Sequence, residues 1–150
     1  MNDLIILAHP DRPAAMTVTV RIQYVIRMKF TLDHPATPHV VRAYAPGLIR
    51  IGEREFARSI IVSARTLIDD WRPQSAADLT AADFEPALAL RPEVLLLGSG
   101  ARQVFPAPEL LAQLYAARIG FEIMDTGAAC RTYNVLVAEG REVAAALIIA

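Results

Sequence analysis

The segment from Glu93 to Ala150 constrains the fold more than any other part of the sequence. Three apolar stretches short enough to be strands alternate with two stretches that have helical spacing. They are the strands Glu93–Leu97, Phe121–Met124 and Glu142–Ile149 and the helices from Pro108 to Gly120 and from Gly127 to Glu139. Connections of this length between strands favour parallel pairing with right-handed crossovers. The segment therefore predicts a strand-helix-strand-helix-strand unit.

Proline, glycine and capping residues mark the predicted ends of both helices. Pro108 suits the first position of a helix, where a backbone N–H is not needed. Gly120 and Gly140 are expected to end the two helices, since glycine readily adopts the left-handed conformation that follows a helix. Asp125 or Thr126 is the expected N-cap of the second helix.

The residues before this unit are richer in strand patterns. Val40–Ala45 and Leu48–Ile51 flank the turn dipeptide Pro46-Gly47, and Glu55–Ser63 forms a third segment with an apolar centre. We interpret these segments as an antiparallel meander. The chain therefore predicts an α/β fold with an antiparallel β-rich N-terminal half and a βαβαβ C-terminal half.

A short helix and a tryptophan lie between the two halves. Thr80–Leu90 predicts the helix, which Thr80 or Asp83 can cap, and Asp83 is the better cap because Pro86 fits only within a first turn. Trp71 is expected to anchor the core.

Residues 1–27 are predicted to be an N-terminal extension to a single α/β domain that spans residues 28–150. Thr17–Phe30 alternates between apolar and polar residues, as a strand would. An added strand or a targeting extension is one interpretation. The other is an upstream start codon, with translation beginning at Met16 or Met28.

Composition argues against several classes of function. The formal net charge of −1 provides no basic field that would attract nucleic acid. One cysteine and three scattered histidines offer no metal-ligand spacing, and no cofactor fingerprint is present. A single cysteine also excludes an intrachain disulfide, and no apolar stretch has membrane-spanning length. These features predict a cytoplasmic protein without metal or cofactor.

One edge of the predicted sheet collects candidate ligand-binding residues. Two parallel strands would bring Gly98-Ser99-Gly100 and Asp125-Thr126-Gly127 to the edge where ligands bind in open α/β sheets. Glycines allow a ligand to approach the backbone, and Arg131 offers a fork for a phosphate or carboxylate. The candidate residues are Gly98, Ser99, Gly100, Gln103, Asp125, Thr126, Arg131, Thr132 and Asn134.

Structural roles remain open for the same residues. The glycines could simply end a buried strand, and Asp125 could cap the helix and so occupy the position that an anion would need. Arg131 could pair with Asp125 or with a neighbouring loop. Cys130 lies near a helix N-terminus, where a thiolate is favoured, but no histidine is near it in sequence. We predict no catalytic residue.

Two stretches carry a family resemblance. The first is the run Met124-Asp125-Thr126-Gly127-Ala128-Ala129-Cys130-Arg131-Thr132-Tyr133-Asn134-Val135-Leu136, followed by Ala138-Glu139-Gly140-Arg141. The second is Leu97-Gly98-Ser99-Gly100, with Gln103 and Pro106 after it. Both resemble a family of small uncharacterised bacterial and archaeal proteins that includes the mitochondrial respiratory complex I assembly factor 3. The similarity covers about Phe30–Ile149, and Gly127 departs from it, since a larger residue is usual there.

The resemblance implies a three-layer α/β domain with a mixed central sheet, and it implies no established catalytic residue. We therefore expect a non-enzymatic protein that acts through protein contacts in respiratory-complex maturation or a related assembly task. The alternative is a binder of a small anionic ligand, or an enzyme acting on one, at the edge formed by Ser99, Gln103 and Arg131. A polar pocket at that edge would favour the ligand, and an apolar patch would favour a protein partner.

Overall fold

The computed structural model describes residues 38–150. The predictions for residues 1–27, and for the beginning of the domain at residue 28, lie outside the described residues. The strands are β1 (Val41–Ala45), β2 (Leu48–Ile51), β3 (Arg54–Phe56), β4 (Ile60–Ser63), β5 (Leu67–Ile68), β6 (Val94–Gly98), β7 (Gly120–Met124) and β8 (Val143–Leu147). The helices are α1 (Glu85–Leu88), α2 (Pro108–Ala116) and α3 (Thr126–Ala138), with 3-10 turns at Ala76–Asp78 and Ala81–Phe84.

The strands form two sheets. The smaller sheet is an antiparallel meander with the order β1-β2-β3. The larger sheet has the order β5-β4-β8-β6-β7, and β8 pairs antiparallel with β4 and parallel with β6. The pairing of β6 with β7 is also parallel. The predicted mixed sheet and the predicted βαβαβ unit are therefore confirmed.

The larger sheet is covered on both faces, which produces three layers. On one face, Leu96 and Ala145 pack with residues of α3 and of the smaller sheet. On the other face, Leu95, Leu97 and Ala146 pack with Trp71 and with residues of α1 and α2. A strand that is buried on both faces carries a continuous apolar run instead of an alternating one.

The segment Glu55–Ser63 is not one strand, and this prediction is wrong. β3 ends at Phe56 and belongs to the smaller sheet, whereas β4 begins at Ile60 beside β8. The two parts differ in burial, since Glu55 is exposed and Ile60 has no exposed surface. The chain therefore leaves the smaller sheet after β3 and enters the larger sheet at β4.

Two predicted helix ends are also wrong. α2 ends at Ala116, and Arg118 takes the left-handed conformation with φ 64°. Gly120 instead begins β7, where its N–H donates to the Glu93 carbonyl at 3.0 Å. Asp83 is not an N-cap: Thr80 is the N-cap of the 3-10 turn Ala81–Phe84, and Phe84 is the N-cap of α1, which holds Pro86.

Asp83 stabilises that turn from inside it. Its carboxylate accepts hydrogen bonds from the Thr80 N–H at 2.8 Å and from the Arg72 Nε at 2.9 Å. The indole N–H of Trp71 donates to the Asp83 carbonyl at 2.7 Å. Trp71 is 3% exposed, which confirms its predicted place in the core.

Among the described helices, none has both the length and the apolar character needed to cross a membrane. Within residues 38–150, no cluster of three or more metal-ligating side chains is present.

Candidate functional site

The carboxyl ends of β6 and β7 meet at one sheet edge, as the βαβαβ pattern indicates. The Ser99 N–H donates to the Met124 carbonyl at 2.9 Å. Gly100 and Thr126 form two hydrogen bonds, from Thr126 N to the Gly100 carbonyl at 2.8 Å and from Gly100 N to Thr126 Oγ1 at 2.9 Å. The two candidate turns are therefore joined to each other.

The first glycine of this edge has a packing role. Thr126 has no exposed surface, and its hydroxyl donates to the Ile148 carbonyl at 2.6 Å. A Cβ placed on Gly98 would lie 2.9 Å from Thr126 Oγ1, closer than side chains tolerate. Gly100 has φ 120°, a conformation that favours glycine. Both glycines are therefore needed for the close packing around Thr126.

Ser99 and Gln103 brace the loop that follows the glycine turn, which we call the 101–106 loop. The Ser99 hydroxyl, on a residue that is 5% exposed, accepts from the Val104 N–H at 2.8 Å and donates to the Arg102 carbonyl at 3.0 Å. The Gln103 amide donates from Nε2 to the Ile123 carbonyl at 2.9 Å. Both side chains thus make internal bonds in place of contacts with an external ligand.

The braced loop presents two large apolar side chains to solvent. Val104 is 46% exposed and Phe105 is 62% exposed. Pro106 directly after them is buried and anchors the end of the loop. An ordered loop with an apolar surface results.

The predicted residues of α3 have mixed roles. Asp125 is the N-cap, as predicted, since its Oδ1 accepts from the Ala128 N–H at 2.8 Å. Thr132 donates to the sulfur of Met124 at 3.5 Å. Asn134 clamps β1: its Oδ1 accepts from the Val41 N–H at 2.9 Å and its Nδ2 donates to the Val41 carbonyl at 2.8 Å.

Arg131 lies on a different cleft from Ser99 and Gln103. This cleft of about 250 Å³, which we call the arginine cleft, has walls from Val41–Tyr44 and from Gly127, Cys130, Arg131 and Asn134. Ser99 and Gln103 do not line it, so the structure does not bring the three predicted ligand residues together. Within residues 38–150 Arg131 makes no ion pair, including the pair considered for Asp125.

Tyr44 is a residue of this cleft that the sequence did not reveal. Its hydroxyl oxygen is buried and has no hydrogen-bond partner in the part of the chain that the structure describes. Burial raises the pKa of Tyr44, and the nearby Cys130 and Asp125 act in the same direction, although a Thr126 hydroxyl nearby opposes the rise. The hydroxyl therefore stays protonated at neutral pH.

Cys130 is poorly suited to nucleophilic chemistry. The residue is 4% exposed. Burial raises the pKa of its thiol to about 12, and the charge of Arg131 lowers it only in part. A thiol that is protonated at neutral pH is a weak nucleophile.

Comparison with known proteins places the fold and both marked stretches in one family. Residues 41–148 match a family model described as a protein of unknown function (DUF498/DUF598). The chain belongs to this family. A Bordetella parapertussis protein of known crystal structure is 40% identical, with 77% of this chain and 98% of that chain covered and a TM-score of 0.71.

Two relatives of this chain have very different names. The zebrafish NADH dehydrogenase [ubiquinone] 1 alpha subcomplex assembly factor 3 is 35% identical over 73% of this chain. The match spans 63% of the length of that assembly factor. A Francisella tularensis protein named 13 kDa major membrane protein is 28% identical, over 74% of this chain and 91% of its own length. The resemblance to the complex I assembly factor family is confirmed.

Proposed function

We propose that this protein is a non-enzymatic assembly factor that acts through protein contacts in respiratory complex I maturation or a related task. Its similarity to several vertebrate proteins named as assembly factors of NADH dehydrogenase supports this role. Because the match spans under two thirds of those relatives, the proposal concerns the domain that the proteins share.

The exposed apolar pair on the 101–106 loop is the observation that carries the proposal. Val104 and Phe105 expose 46% and 62% of their surface, although Ser99 and Gln103 hold the loop in place. Contiguous exposed apolar surface marks partner sites, and aromatic side chains are enriched in protein interfaces. A loop that is ordered before binding loses less conformational entropy when a partner docks.

A groove beside the loop extends this surface. Its volume is about 370 Å³, and its walls include Ala76, Ala77, Ala101, Val104 and Ile148. Most of its lining is apolar, with the exposed Arg102 at its rim. A partner that inserts an apolar side chain here would also bury Val104, which lines the groove.

The test compares two exposed apolar residues on different surfaces. Phe105→Ser removes the most exposed side chain of the loop, and Val135→Ser removes a side chain of α3 that is 54% exposed. Tagged full-length variants are expressed in the organism that encodes the chain, and co-purified proteins are quantified by mass spectrometry. Melting curves verify that both variants fold.

We expect wild type and Val135→Ser to recover subunits or assembly intermediates of NADH dehydrogenase. Phe105→Ser should recover at least about tenfold less, since loss of an aromatic anchor typically costs 2 kcal/mol or more of binding free energy. Equal recovery with Phe105→Ser would contradict the role of the loop. If wild type enriches no such subunit, the assembly role itself is wrong.

A further inference from the structure

The arginine cleft differs chemically from the groove beside the 101–106 loop. Arg42 and Arg131 both line it, and no acidic residue does. In the described part of the chain, neither arginine makes an ion pair. Two arginines on one small cleft, without a carboxylate in its walls, favour an anion as the occupant.

We propose that the arginine cleft binds a small phosphate-type oxyanion, either free phosphate or the phosphate of a small monoester. Arg42 and Arg131 supply the positive charge. At about 250 Å³ the cleft is smaller than the pockets that hold drug-sized ligands, which begin at about 300 Å³. A phosphate group has enough acceptor oxygens to bond both arginines.

The hydroxyl of Tyr44 is not part of the proposed binding site. It has no hydrogen-bond partner in the described residues, but its oxygen is buried, so an anion in the cleft does not reach it. Tyr44 forms a wall of the cleft through its ring, since its Cδ2 lies 3.7 Å from a Cβ placed on Gly127.

The site does not depend on the free N–H groups at the start of α3. Asp125 already accepts from the Ala128 N–H at 2.8 Å, so its carboxylate occupies that position. The anion is therefore held by side chains from β1 and from the second turn of α3. The carboxylate of Asp125 lies close to Gly127 but is not part of the lining of the cleft.

Gly127 provides the room in the cleft. A Cβ on this residue would lie 3.3 Å from Asp125 Oδ1, 3.6 Å from Arg131 Nη1 and 3.7 Å from Tyr44 Cδ2. A larger residue at this position would therefore project between Arg131 and Tyr44, into the cleft. The backbone of Gly127 is helical, without a positive φ, so it can accept a side chain.

The test measures binding to the full-length chain by thermal stability and by amide NMR. Inorganic phosphate, glycerol phosphate and sulfate are titrated at constant ionic strength, with chloride as the control for screening. The amide signal of Gly127 reports occupancy directly. The variants are Arg42→Ala, Arg131→Ala, Tyr44→Phe and Gly127→Leu, and the matched control is Arg50→Ala, an exposed arginine on β2.

We expect a saturable phosphate-dependent rise in melting temperature and a saturable shift of the Gly127 amide. Arg42→Ala and Arg131→Ala should each weaken affinity about tenfold or more, because hydrogen bonds to charged groups are strong. Tyr44→Phe should leave affinity unchanged, because the Tyr44 hydroxyl is buried and out of reach of the anion. Gly127→Leu should abolish binding while the chain remains folded, and Arg50→Ala should bind like wild type.

Comparison of the two ligands identifies the source of the phosphate. Equal affinity for phosphate and glycerol phosphate points to the free ion or to any monoester, and much tighter binding of the ester points to a phosphorylated metabolite. A wild-type chain with no saturable response to either ligand would overturn the proposal. Unchanged affinity in both Arg42→Ala and Arg131→Ala would do the same.

Discussion

Replacing Ser99 with alanine tests whether this residue braces the 101–106 loop or serves a ligand. The substitution removes the bond from the Val104 N–H at 2.8 Å and the bond to the Arg102 carbonyl at 3.0 Å. Each neutral hydrogen bond contributes about 0.5–1.5 kcal/mol net. Val104 is 46% exposed, so its freed N–H regains water and costs toward the lower end of that range. We expect the free energy of unfolding to fall by about 1–2 kcal/mol.

Amide hydrogen exchange at Val104 is the assay that localises this effect. A loss of about 1 kcal/mol in the local opening free energy corresponds to roughly fivefold faster exchange. Ser63→Ala is the matched control, since the Ser63 hydroxyl accepts from the Thr66 N–H at 3.1 Å in a turn remote in sequence. That variant should accelerate exchange at Thr66 and leave Val104 unchanged.

Two results would refute the bracing role. Exchange at Val104 could remain at the wild-type rate in Ser99→Ala, which would show that the loop is held by other contacts. Ser63→Ala could accelerate Val104 as strongly as Ser99→Ala does, which would show a global loss of stability instead of a local one.

Further predictions concern the core, the pH response and the cysteine. Asn134→Ala should lower the free energy of unfolding by about 2 kcal/mol in urea titrations, because both hydrogen bonds to Val41 are lost. The Arg72 and Thr80 hydrogen bonds lower the pKa of Asp83, so the stability it contributes is complete above the ordinary aspartate pKa of about 3.9 and declines as pH falls toward its folded value. Asp83→Asn should abolish that part of the acid dependence in pH-dependent denaturation. Cys130 should resist alkylation in the native state at pH 8 and react after unfolding, because the pKa of its thiol is raised to about 12.

Local patterns predicted the parts of this fold that depend on neighbouring residues. The continuous apolar run of β6 indicated a strand covered on both faces, and Leu95, Leu96 and Leu97 have no exposed surface. Asp125 was a capping residue followed by a long helical pattern, and it caps α3. Patterns of this kind depend on contacts within a few residues, which a sequence displays directly.

The errors arose where a distant partner decides the structure. Ile60 could have continued the strand from Glu55, but pairing with β8, at Leu147, places it in the other sheet. Glycine commonly follows the end of a helix, but Gly120 pairs with β6 as part of β7. The left-handed conformation after α2 is taken by Arg118 instead. Neither outcome follows from the residues adjacent in sequence.

The candidate site shows the same division. Asn134 was identified as polar and helical, but its bonds to Val41 span 93 positions and were not predictable. Tyr44 was an ordinary strand residue until the structure placed it beside Cys130 and Arg131. Val104 and Phe105 did carry a signal, since two large apolar residues there belong to no helix or strand pattern.

The contacts of Thr126 explain why the two motifs that most resemble a ligand-binding site, the glycine turn and the N-terminus of α3, stabilise the fold instead. Its hydroxyl and backbone bond Gly100, and its hydroxyl also bonds the Ile148 carbonyl, so the ends of β6 and β8 and the start of α3 form one buried joint. The glycine turn and the helix N-terminus resemble an anion-binding loop because both require close backbone approach, and here that approach closes the protein on itself. The two surfaces proposed to bind a partner or a ligand adjoin these residues. The loop after Gly100 exposes Val104 and Phe105, and Gly127 lines the arginine cleft.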